Sequence, residues 1–125
     1  MLNDKYTAFT RAYIECALWS STDNADDSGG EPLDANYGES DLAPEALYQM
    51  IEDCEDFRAA NMVDLADWSE EQAGHDFWLT RNHHGAGFWD RGFGTPGSRE
   101  RLTRAAHVYG SCDLCVGDTG RIHIL

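Results

Sequence analysis

Hydrophobic and polar positions along the chain fall into four stretches of helical period, a glycine-rich aromatic segment and a short alternating tail. In residues 3–20, Tyr6, Phe9, Tyr13, Cys16 and Ala17 recur at helical spacing as one apolar stripe, with Asn3 or Asp4 as cap. Residues 22–41 combine turn formers with acids and few aliphatics, which predicts a long acidic surface loop pinned by Leu33, Tyr37 and Leu42. A second helix follows, capped by Ser40 or Asp41, with Pro44 near its first turn. Leu47, Met50, Ile51, Cys54 and Phe57 share an arc of about 120°, and Glu45, Glu52 and Asp56 lie opposite. Ser69-Glu70-Glu71-Gln72 reads as a capping box and places a third helix over about 70–81. The alternative makes residues 77–81 and 87–91 two arms of a hairpin.

From Gly85 the pattern changes. Glycines punctuate a segment carrying Phe88, Trp89 and Phe93, which predicts a strand flanked by tight turns. Trp78 and Trp89, in the densest aromatic stretch, are expected to be core anchors. Ser98 caps a fourth helix through Tyr109, with Leu102, Ala105, Ala106 and Tyr109 on its buried side and Gly110 as its stop. Two alternating runs then flank Gly117-Asp118-Thr119-Gly120, a hairpin signal. The fold class is α+β: about four helices packed on a small antiparallel sheet that ends in a C-terminal β-hairpin. The chain reads as a single domain over residues 1–125, with no internal repeat.

Charge narrows the choice of partner. The 125 residues are 42% hydrophobic, enough for a core, yet the net charge is −14. Up to Asp76 there are 19 acids against three bases (Lys5, Arg11 and Arg58), whereas residues 77–125 hold four acids and six arginines. Such segregation points to an acidic working surface on a near-neutral platform, or to a solubilising face. The chain as a whole would be repelled by nucleic acid and anionic lipid. Neither a membrane-length apolar run nor a signal peptide is legible, so the expected location is the cytoplasm.

Two groups invite chemistry. Cys112 and Cys115 have CxxC spacing, flanked by His107 and His123, but along one strand they would point to opposite faces. Cys16 and Cys54 sit on apolar helix faces, so no metal and no cofactor is expected. His75, Asp76, Arg81 and His84, near a glycine-rich turn, have the makings of an acid–base site in a small hydrolase or ligand-binding protein. The plainer reading makes Asp76 and Arg81 structural partners and the histidines exposed turn residues. Residues 23–29 miss the EF-hand pattern, and no nucleotide-binding motif or nucleophile elbow is present.

The block Gln72-Ala73-Gly74-His75-Asp76-Phe77-Trp78-Leu79-Thr80-Arg81-Asn82, with His84-Gly85-Ala86-Gly87-Phe88-Trp89-Asp90-Arg91-Gly92, resembles a family of small uncharacterised proteins encoded by bacteriophages and prophages. Residues 17–23, 29–37, 42–47 and 116–118 resemble the same family. The family has Gly where this chain has His83 and an aromatic where it has Cys115, which weighs against a role for either. The resemblance implies a mobile-element origin and expression inside a bacterial host; it supplies no activity. The resulting expectation is a non-enzymatic accessory protein that binds a basic surface of a host protein, such as a nucleic-acid-binding groove. It would do so by mimicking nucleic acid, as an inhibitor of host defence of anti-CRISPR or anti-restriction type. Asp34, Glu39, Asp41, Glu45, Glu52, Asp53 and Asp56 are the expected contact residues.

Overall fold

In the computed structural model, which describes residues 6–23 and 31–124, Thr7 opens the first helix. Its hydroxyl accepts from the Thr10 amide at 3.3 Å, and α1 runs Ala8–Ser20. The expected caps Asn3 and Asp4 lie outside the described residues. Strands β1 (Thr22–Asp23) and β2 (Glu31–Pro32) pair antiparallel, and 3-10 turns follow at Leu33–Ala35 and Glu39–Asp41. Part of the expected loop is thus held down: Leu33 and Leu42 are buried, and the Leu33 amide donates to the Ser21 carbonyl at 2.9 Å.

Helix α2 (Pro44–Ala60) starts at Ala43, with Pro44 in the first turn, rather than at Ser40 or Asp41. Asp41 instead receives the Gly38 amide at 2.8 Å and closes the preceding 3-10 turn. Met50, Cys54 and Phe57 are buried on α2, whereas Glu45, Glu52 and Asp56 are exposed, as the amphipathic pattern requires. Helix α3 (Glu70–Arg81) forms where the capping signal places it, and residues 77–81 are helical, not a hairpin arm. Ser69 accepts from the Gln72 amide at 3.1 Å; the Gln72 side chain does not reciprocate but reaches on to Asp76 at 2.9 Å.

The expected strand around residues 88–93 is a 3-10 turn at Phe88–Asp90. There the Phe88 amide donates to the Thr80 hydroxyl and the Asp90 amide to Gly87, so the backbone is satisfied without a neighbouring strand. The turn buries Phe88 and sends Trp89 outward. Trp78 is 2% exposed and a core anchor; Trp89 is 51% exposed and is not. Helix α4 (Pro96–Val108) is capped by Thr95, with Ser98 as the reciprocal third residue of the box, not as the cap. Gly110 follows with φ +74°, the left-handed conformation that ends a helix. Strands β3 (Leu114–Val116) and β4 (Ile122–Ile124) form the expected hairpin, and the Ala43 amide ties it to the start of α2 through the Ile122 carbonyl at 2.8 Å. Among the described residues the architecture is α+β, four helices with the short β1–β2 pair and a small antiparallel sheet near the C-terminus.

Helices α1 and α3 cross closely because of Gly74. A Cβ there would stand 1.9 Å from the Phe9 carbonyl oxygen, so the two backbones touch with no side chain between them. Around this seam Phe9, Tyr13, Phe57 and Phe77 form the aromatic centre, with Phe57 and Phe77 stacked at 4.1 Å.

Candidate functional site

Helical geometry separates Asp76 from Arg81. Five residues on a helix turn the chain through about 140° beyond one full revolution, so the two side chains leave α3 in different directions. Asp76 is fully buried and has its own partners. Arg91 donates through Nε to Oδ2 at 2.9 Å and through Nη2 to Oδ1, while Trp68 Nε1 reaches Oδ2 at 3.1 Å and Gln72 Nε2 reaches Oδ1 at 2.9 Å. Burial alone would raise the Asp76 pKa. The Arg91 guanidinium and the Gln72 amide, both hydrogen-bonded to the carboxylate, outweigh it and hold the carboxyl below its ordinary range, ionised at neutral pH.

Arg81 is also buried, and every contact it makes is structural. Nε donates to the Gly110 carbonyl at 2.8 Å and Nη2 to the Tyr109 carbonyl at 2.9 Å. Nη1 reaches the Tyr13 hydroxyl at 3.1 Å and Asp53 Oδ2 at 3.0 Å. The expectation of an Asp76–Arg81 partnership is therefore corrected: each is structural, but with other residues. His84 is exposed in the turn after α3, and His83 stacks on His107 at 4.2 Å. His75 is half-exposed, its Nδ1 buried 3.9 Å from Asp76 Oδ1, too far for a hydrogen bond. The four candidate acid–base residues do not converge.

The cysteines are likewise apart in function. Cys112 precedes β3 instead of sharing a strand with Cys115, and its amide donates to Asn82 Oδ1 at 2.8 Å. Among the described residues no three His, Cys, Asp or Glu side chains are grouped to hold a metal ion. Burial, and secondarily the charge of Asp76, push the Cys16 thiol up to about 12, so it stays protonated at neutral pH.

The acidic residues expected to contact a partner are placed unevenly. Glu39 pairs with Arg11 at 3.3 Å, Glu45 lies 3.3 Å from His123 Nδ1, Asp53 is half-buried against Arg81, and Asp56 accepts from the Tyr109 hydroxyl. Asp34 and Glu52 are exposed and have no ion pair among the described residues. Tyr48, 70% exposed, stands among Glu45, Glu52 and Glu55 on the outer face of α2.

A concavity not anticipated from the sequence lies between α1 and the start of α3. It has a volume of about 670 Å³, is open to solvent, and is lined by Glu15, Trp19, Asp34, Glu71, His75 and Arg91, among others. Glu15 and Trp19 are four residues apart on α1, and Glu71 and His75 four apart on α3, so each pair shares a helix face. That spacing was legible; the closeness of the two helices was not. Models of known protein families, curated proteins and solved structures yield no match to the chain. No helix among the described residues is long and apolar enough to cross a membrane.

Proposed function

We propose that the protein is a non-enzymatic accessory protein of a bacteriophage or prophage, acting in the cytoplasm of the bacterial host. It binds a basic surface of a host protein, by imitating nucleic acid, as an inhibitor of host defence. The observation that carries this reading is the outer face of α2, where exposed Glu45, Glu52, Glu55 and Asp56 surround the exposed ring of Tyr48. Closely held like charges repel, and only Glu45, beside His123, and Asp56, bonded to the Tyr109 hydroxyl, have a partner within the fold; Glu52 and Glu55 have no ion pair among the described residues. A cationic partner relieves that repulsion, and an exposed tyrosine among the charges supplies a contact of the kind that dominates interface energetics. The hydrolase alternative is left without its site, since Asp76 and Arg81 spend their hydrogen-bonding capacity within the fold.

The test is affinity capture from a bacterial lysate, with bound protein and nucleic acid both identified, using wild type and the triple variant Glu45→Lys, Glu52→Lys and Asp56→Lys. The wild type is expected to retain a basic protein at low salt and release it as salt rises. The triple variant, with an unchanged circular dichroism spectrum, is expected to retain none. Equal retention by both would make the α2 face a solubilising surface and end the proposal.

A further inference from the structure

The groove between α1 and α3 differs from the α2 face in having depth and an aromatic wall. Trp19 is 58% exposed, and its ring lies 6.2 Å from that of His75 at an interplanar angle of 35°. A large aromatic left so exposed, at the edge of a concavity, offers a π face to whatever enters. Glu15, Asp34 and Glu71 line the same groove, are exposed, and have no ion pair among the described residues. The groove's one guanidinium, Arg91, is held by the buried Asp76 and so is neutralised from beneath. Among the described residues no cation lies over the Trp19 ring. The groove is thus complementary to positive charge and has an exposed aromatic ring, flanked by His75, with no cation over it.

We infer that this groove docks an arginine side chain, presented with its flanking residues by the protein's basic partner. Arginine fits better than lysine for a geometric reason. A planar guanidinium can stack on an indole while its edge N–H groups fork toward carboxylates, whereas an ammonium is a point charge with a tightly held water shell. The volume, about 670 Å³, exceeds what one side chain fills and accommodates a short stretch of main chain with it. The inference rests on the proposed binding to a basic surface and adds to it a second contact, on a different pair of helices, with a stated residue type.

The experiment titrates isotopically labelled protein with blocked Gly-Arg-Gly-Arg-Gly and with its lysine counterpart, following the backbone amides of α1 and α3 in every variant and, where Trp19 is kept, its indole N–H. The arginine peptide is expected to shift those resonances and to bind several-fold more tightly than the lysine peptide. Trp19→Ala, or Glu15→Gln with Glu71→Gln, is expected to weaken binding at least tenfold, and Trp19→Phe to keep part of it. Asp113→Asn with Asp118→Asn, two exposed acids that do not line the groove, is the control matched in charge to the double glutamate variant and is expected to bind as wild type. Equal affinity for the two peptides, indifference to Trp19→Ala, or no binding at all would overturn the inference. If the α2 triple variant alone abolishes host-protein capture while the groove variants leave it intact, the proposed function stands and the groove is no part of it. If the peptide binds at Trp19 but the α2 triple variant still captures the host protein, the groove stands and the α2 reading falls.

Discussion

Two ion-pair hubs lie on either side of α3, and they are built in opposite ways. At Asp76 the hub is a carboxylate, 0% exposed, that receives Arg91, Trp68 and Gln72 together. At Arg81 the hub is a guanidinium that gives its protons to two main-chain carbonyls, a phenol and one carboxylate. The carboxylate hub collects donors from the helix itself, from Trp68 just before it and from Arg91 in the segment after it, and keeps one outlet to solvent through Arg91. The guanidinium hub reaches α1, α2 and the end of α4 and staples them to α3. A buried carboxylate is tolerated because its partners are charged or strongly polar; a buried guanidinium is tolerated because it satisfies acceptors that would otherwise face an apolar interior. Neither hub has capacity left over for acid–base work on a substrate.

Removing each hub should separate these roles. Asp76→Ala strands the Arg91 charge and the Trp68 and Gln72 donors, and is expected to cost about 3–5 kcal/mol in denaturant unfolding. A cost below about 1 kcal/mol would show that Arg91 swings into water and the hub is incidental. Arg81→Met keeps the bulk but leaves neutral acceptors, with Asp53 free to hydrate, and is expected to cost about 2–3 kcal/mol. Its loss should appear also as faster amide exchange at the end of α4, where Tyr109 and Gly110 are released. The smallest effect is the dependence on pH. The folded Asp76 pKa lies below its ordinary value of 3.8, so the hub's contribution is complete above about pH 4 and fades as pH falls through the depressed folded value. Wild-type stability should therefore fall more steeply below pH 4 than that of Asp76→Asn, in melts across acidic buffers. Parallel profiles would remove Asp76 as the titrating group.

The same contrast explains what the sequence could disclose. Period and capping report local order, so α2 with its wet acidic face, the start of α3 at Ser69 and the turn at Gly117-Asp118-Thr119-Gly120 were legible. Partners separated along the chain were not. Arg91 follows Asp76 by a full turn region, and Asp53 precedes Arg81 across the whole α2–α3 connection; nothing in residue type favours these pairings over Asp76 with Arg81. Helical geometry alone would have excluded that pairing. The strand expected near Phe88 failed for a related reason. Aromatic residues among glycines suit a strand or a tight turn equally, and the Thr80 hydroxyl, eight residues back, decided for the turn. Trp89 then faced solvent. The Trp19 groove was hidden because its two walls come from α1 and α3, and only their crossing brings them together.

That crossing constrains how the gene can drift. At most core positions a substitution trades one shape for another, and neighbours repack to absorb part of the difference. At Gly74 there is no neighbour to repack, because what stands opposite is the Phe9 carbonyl of another main chain. Selection there acts on a distance between two backbones, and a single methyl group is already too large. Every other amino acid must push α1 away from α3, carrying Trp19 from His75 and opening the groove they share. Position 74 therefore admits one residue, whatever happens to the chemistry around it, and a lineage that lost this glycine would lose the shape of the groove before it lost any of the charges that line it.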